Sequence, residues 1–123
     1  MALTAEQITT AVHTYIEAVA VGDPDRLGAL FAEDAVQEDP VGNVNTGRDA
    51  IIEFFGNIKD VKKEATLKSL RVAGDVAVFE FSMLTYAGEQ KFLLEPIDVM
   101  RFDENGLIKS VVAVWSQEDL KVV

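Results

Sequence analysis

Apolar residues recur at four- and three-residue spacing at Ile8, Val12, Tyr15 and Val19, which predicts an amphipathic helix with one buried stripe. Thr4-Ala5-Glu6-Gln7 in front of it fits a capping box, in which the threonine oxygen takes an orphan amide and Gln7 reaches back. Gly22 supplies a left-handed C-terminal residue. Asp23-Pro24 restarts a helix, with aspartate as N-cap and proline at the first helical position, and the pattern carries that helix to Phe31. Ala35 to Asp39 reads as a short extended piece ending at Pro40, Asn43 to Gly47 as a loop, and Asp49 to Phe55 as a third, short helix.

The second half alternates with period two. Strands are expected over Lys63–Val72, Val76–Tyr86, Gln90–Phe102 and Leu107–Trp115. Turn signals separate them: Gly74-Asp75, Ala87-Gly88 and Asn105-Gly106, the last a type I′ hairpin candidate. Helices first and an antiparallel meander afterwards predict an α+β fold, with three N-terminal helices packed in a curved, mainly antiparallel sheet that closes to a cone. No linker, repeat or low-complexity stretch interrupts residues 1–123, so one domain is expected.

Composition narrows the function. Hydrophobic residues make up 49% of the 123 residues and charged residues 26%, the balance of a globular chain. A formal net charge of -10 excludes nucleic acid as a natural partner and disfavours anionic membranes, while leaving a neutral apolar ligand open. The absence of cysteine removes disulfides, thiolate metal sites and cysteine nucleophiles together. The opening MALTAEQ lacks the basic and apolar regions of a signal peptide, and no stretch approaches the roughly 20 apolar residues that span a bilayer, so a cytoplasmic protein is expected.

No dinucleotide, phosphate-loop, nucleophile-elbow or zinc-helix motif occurs. The single histidine, His13, lies two positions before Tyr15 and points away from the apolar stripe, so neither a His–Asp dyad nor a metal site can be built on it. The anomaly is Asp98. Alternation sets it on one strand face with Phe92, Leu94, Pro96, Met100 and Phe102, all apolar, and sends Glu95 and Arg101 to the other face. A carboxyl in that place keeps its proton and becomes a hydrogen-bond donor; a bulge at Pro96 would instead turn it to solvent. Pattern alone leaves both readings open. Tyr15 carries the sole hydroxyl on the first helix's stripe, where a core tyrosine is the ordinary reading. Asp39, in Glu38-Asp39-Pro40, taken alone would simply start a turn.

Together these residues resemble a known family over nearly the whole chain. Tyr15-Ile16-Glu17 with Gly22-Asp23, Phe31-Ala32-Glu33-Asp34-Ala35, Glu38-Asp39-Pro40-Val41-Gly42 and Gly47-Arg48 are similar to bacterial Δ5-3-ketosteroid isomerases, in the NTF2-like (cystatin-like cone) superfamily. So are Pro96-Ile97-Asp98-Val99-Met100-Arg101-Phe102-Asp103 and Trp115-Ser116. The resemblance implies Asp39 as general base and Tyr15 and Asp98 as the two donors to a steroid 3-oxygen, with no cofactor or metal and a homodimer formed through the outer sheet face. A carboxylic acid held neutral is a known property of that family, so its raised pKa here is implied by the resemblance; the apolar strand face supplies an independent reason. Val41, Phe54, Phe55, Phe81, Met83, Val99, Val111 and Trp115 are expected to wall the steroid site. The chain departs from some members in carrying Phe31 and Phe55 where they support the phenol with tyrosines. Two competing readings are a hydro-lyase or hydrolase on the same cone, which needs a His–Asp or Asp–Arg–Asp arrangement, and a non-catalytic module that only holds an apolar ligand.

Overall fold

Thr4 caps the first helix as its sequence demands: its side chain accepts from the Gln7 amide at 3.1 Å while the Thr4 amide donates to Gln7 Oε1 at 2.8 Å. This computed structural model describes residues 3–123. Helix α1 (Ala5–Val21) buries Ile8, Val12, Tyr15 and Val19 on one stripe and ends at Gly22 with φ 77°. The carbonyl of Lys59 would lie only 2.5 Å from a Cβ at Gly22, so glycine is required there for close approach as well as for backbone sign. Helix α2 (Pro24–Gly28) is capped by Asp23, and helix α3 (Arg48–Gly56) buries Ile51 and Phe55.

Eight strands form one sheet: β1 (Phe31–Glu38), β2 (Val44–Thr46), β3 (Lys63–Ala73), β4 (Val76–Ala87), β5 (Gln90–Leu94), β6 (Ile97–Phe102), β7 (Ile108–Val114) and β8 (Lys121–Val122). Their order is β2-β1-β7-β6-β4-β5-β8, with β3 on β4. Among the described residues only the β1–β7 pairing is parallel. Helix α1 lies against β3 and β4 and α3 against β1, so the helices close the concave face of a curved sheet. The expected α+β cone is the observed one.

Four local expectations change. Helix α2 stops at Gly28, not Phe31: Phe31 is the first residue of β1, and its carbonyl accepts both Nε and Nη2 of Arg48 at 3.0 and 2.9 Å. Within the expected loop Asn43–Gly47, Val44–Thr46 is a strand paired with Val36–Glu38. The strand expected over Gln90–Phe102 divides at Glu95-Pro96, because proline has no amide for the ladder. Its register on β4 survives the break: Met83 faces Leu94 and Glu80 faces Ile97, with two residues on each side between them. The turn at Asn105-Gly106 is not type I′, which needs positive φ at both central residues. Only Gly106 is positive (84°), in a three-residue loop closed by Gly106 N–H to the Asp103 carbonyl (3.1 Å) and Asp103 N–H to the Leu107 carbonyl (2.8 Å). The Asp103 carboxylate holds that loop by accepting from the amides of Asn105 and Leu107.

Candidate active site

Because the ladder keeps its register past Pro96, Asp98 stays on the concave face. It is 1% exposed, with Phe79 of β4 and Ala113 of β7 as its ladder neighbours, and its Oδ1 has no hydrogen-bond partner. Burial, and after it the charge of Asp39, hold its pKa well above the ordinary 3.8, which favours the neutral acid. The solvated alternative falls away; Arg101 is exposed on the other face, as the alternation requires.

Tyr15 enters the same space from α1. Its ring is met edge-on by Phe31, Phe55 and Phe79, with centroids 6.4, 6.2 and 6.2 Å away. Burial is the main reason its pKa lies well above 10.0, followed by the charges of Asp98 and Asp39. Burial acts on the phenol whichever form Asp98 takes. No protein group among the described residues hydrogen-bonds the phenol, and Phe31 and Phe55 stand against its ring where tyrosines would have offered a hydroxyl. The phenol is thus a neutral donor.

Asp39 arrives from β1, one residue past its end. Its backbone is fixed by a tight turn: its amide donates to the Asn43 carbonyl and Asn43 Nδ2 donates to its carbonyl, each at 2.9 Å. Glu38 Oε2 accepts the Gly42 amide at 2.7 Å across the same turn. Trp115 Nε1 donates to Asp39 Oδ1 at 2.8 Å. Burial raises the Asp39 pKa from 3.8 and the Trp115 hydrogen bond opposes that rise. Asp98 has no such donor, so the two carboxyls are pushed apart in acidity, Asp39 being the one that ionises first.

All three line one cavity of about 210 Å³. Phe54, Phe55, Phe81, Met83 and Trp115 form part of its wall. Three expected wall residues lie elsewhere. Val41 is 58% exposed at the tip of the turn after Asp39, Val99 faces outward because it neighbours Asp98 on an alternating strand, and Val111 points inward but one row deeper, into the core. In their place stand Val19, Ile58, Leu94, Pro96 and Ala113. Leu94 and Pro96 were accessible to the same alternation that singled out Asp98. Ile58 has no such signal: it sits in the segment after α3, which Lys63 Nζ pins by donating to the carbonyls of Ile58 (2.6 Å) and Val61 (2.7 Å).

A larger groove of about 530 Å³ lies toward the other end of the sheet, between Leu3 and the charged side chains of Asp75, Asp103, Glu104 and Lys109. It lacks a buried polar group, and Asp103 is already engaged with its own turn, so the smaller cavity is the candidate site. No cluster of three or more His, Asp or Glu that could hold a metal ion occurs among the described residues, and His13 is exposed.

Residues 12–111 match the SnoaL-like domain model. The chain is also 43% identical over 117 residues to a steroid Delta-isomerase from Nocardioides simplex, covering 94% of this chain and 95% of that one. The chain belongs to the SnoaL-like steroid Delta-isomerase family. Solved structures share the fold of this SnoaL-like chain at lower identity. A Δ5-3-ketosteroid isomerase from Mycobacterium sp. superimposes with a TM-score of 0.84 at 19% identity, over 95% of this chain and 98% of that one. The epoxide hydrolase/cyclase-like enzyme SalBIII, of pyran ring formation in salinomycin, does so with 0.87 at 24% identity, over 96% and 97%.

Proposed function

We propose that the chain converts Δ5-3-ketosteroids to Δ4-3-ketosteroids by moving one proton from C4 to C6. Supporting this reading above all is the division of labour in one apolar cavity: a carboxylate held by Trp115 opposite no cation, and two neutral donors, the Tyr15 phenol and the Asp98 acid. Asp39, ionised, takes the C4 proton, and the C4–H bonding pair moves to form a C3–C4 double bond as charge passes to the 3-oxygen. Tyr15 and Asp98 donate to that oxygen as it becomes negative. Such preorganised donors in a water-poor site are each worth roughly 3 kcal/mol in the transition state. Asp39 then returns its proton to C6, where the C5–C6 π pair forms the new C–H bond; the C3–C4 pair moves to C4–C5, and the oxyanion pair reforms the 3-ketone in conjugation. Base and acid are one residue, so the carboxyl ends as it began.

Hydration or epoxide opening on the same cone lacks its parts, since no histidine or arginine lines the cavity. A passive binding module would have no need to bury two carboxyls at a desolvation cost of several kcal/mol. In this reading the chain pairs with a second copy through the convex sheet face, where Ile97 (45% exposed) and Val114 (49% exposed) are ladder partners and Val78 and Val99 continue the apolar surface.

The test is direct: add a Δ5-3-ketosteroid and follow the ultraviolet absorbance of the conjugated enone. Asp39→Asn keeps the shape without the basic lone pair, so kcat falls by several orders of magnitude while steroid affinity stays near wild type. No absorbance change at micromolar wild-type enzyme, or an Asp39→Asn variant keeping a tenth of wild-type kcat, rejects the reading.

A further inference from the structure

Gln37 is a buried polar side chain that the reaction above does not use. It is 0% exposed on the concave side of β1, in the inward series Ala35, Gln37, and its Oε1 accepts Asn45 Nδ2 from β2 at 3.0 Å. Its Nε2 has no partner. An enclosed amide with an idle donor is costly, and native interiors keep such groups only where something meets them. The next inward residue along the chain is Asp39, which lines the cavity and whose Oδ1 is served by Trp115 while Oδ2 receives no protein donor among the described residues. One idle donor and one idle acceptor therefore sit two residues apart on the same face. That spacing is about 6.6 Å along an extended chain, a span that a glutamine amide bridges to a carboxylate through one bound water.

We infer that Gln37 is a positioning residue for Asp39, its Nε2 serving the carboxylate through one bound water on the side that Trp115 leaves free. The inference rests on Asp39 being the base. The Asn45 bond engages the amide oxygen, so that the nitrogen is the end left free. A second donor favours the ionised form, adding to Trp115 against the effect of burial. The other titratable groups lining this cavity are Tyr15 from α1 and Asp98 from β6; α3, β4, β5 and β7 contribute none. Glu38, the next acid along β1, is turned to the Gly42 amide instead.

The measurement is the midpoint of the Asp39 carboxyl by carbon-detected NMR without steroid, the signal assigned by its loss in Asp39→Asn. Gln37→Met keeps the length of the side chain and removes the donor. The midpoint is expected to rise by about one pH unit, and the acid limb of kcat/KM to rise with it, while the high-pH plateau changes less than about three-fold. A merely structural role would lower the plateau or the stability without moving the midpoint, and an unmoved midpoint overturns the inference. Should Gln37→Met fail to fold by circular dichroism, Gln37→Glu decides: a carboxylate in contact range must raise the Asp39 midpoint, and no change places Gln37 out of reach. Since the midpoint needs no substrate, a shifted midpoint without isomerase activity would reject the proposed reaction and leave the pairing intact.

Discussion

Replacing Asp98 with asparagine removes a titration that the fold forces on the protein, and the consequence can be followed as stability against pH. Asp98 is flanked by Phe79 and Ala113, has an unbonded Oδ1, and has its pKa pushed up mainly by burial. In the unfolded chain it ionises near the ordinary 3.8. Below that value both states carry the proton and Asp98 costs nothing as a charge. Above it the unfolded state releases its proton while the folded state keeps its own, so folding must take up a proton and loses about 1.4 kcal/mol for every pH unit. The loss levels off once pH passes the folded pKa and both states are ionised. An asparagine in that place cannot titrate, so the other carboxyls, Asp39 included, contribute alike to both proteins and cancel in the difference. Urea unfolding of wild type and Asp98→Asn at pH 4 to 8 should therefore show a difference that moves in the variant's favour with that slope, equivalent to roughly 5 °C in Tm per unit for a domain of this size. The offset at pH 4 carries the changed hydrogen bonding of the amide and decides nothing. The pH at which the difference stops growing reports the folded pKa of Asp98. A difference that is flat from pH 4 to 8 would refute the neutral-acid argument.

Trp115→Phe removes the one side-chain donor seen on Asp39, so its pKa should rise and the acid limb of kcat/KM should move to higher pH; a limb that stays in place means that the 2.8 Å bond does not hold in solution. Tyr15→Phe should lower kcat several-hundred-fold, the scale of one lost oxyanion donor, measured with the same steroid under near-ultraviolet circular dichroism control. Phe55→Tyr offers the Tyr15 phenol a partner whose net hydrogen bond is worth about 1 kcal/mol, so kcat should change less than about ten-fold. Comparable effects of the last two substitutions would show that Tyr15 does not act on the oxyanion directly.

What could be read from the chain and what could not divide along a physical line. Which face of a strand a side chain takes is local, and Asp98 was legible because nothing intervenes to change its parity. Pro96 interrupts the ladder, yet Glu95-Pro96 is matched by Phe81-Ser82 on β4, so no residue is gained or lost across the break. Val99 follows by the same rule and belongs outward with Ile97 and Arg101, not on the cavity wall. Phe31 shows where local rules give out. Four residues after Leu27, it suits a helix as well as a strand, and the groups that decide are distant: Arg48 on its carbonyl and Ile108 beside it in the ladder. Assigning Phe31 to the helix shortens β1 at its start and leaves only the piece from Ala35 onward extended. The Asp39–Trp115 bond spans 76 positions and follows from the parallel pairing of β1 with β7, which sets Gln37 beside Val111 and Glu38 beside Val112 and so brings the end of one strand to the end of the other. Alternation has no access to that pairing. An acid's burial follows from the face it occupies, whereas its tuning follows from which donor the tertiary fold delivers. Both carboxyls are pushed upward by burial, and only the one that a distant tryptophan reaches is pulled back toward the ionised state a base requires.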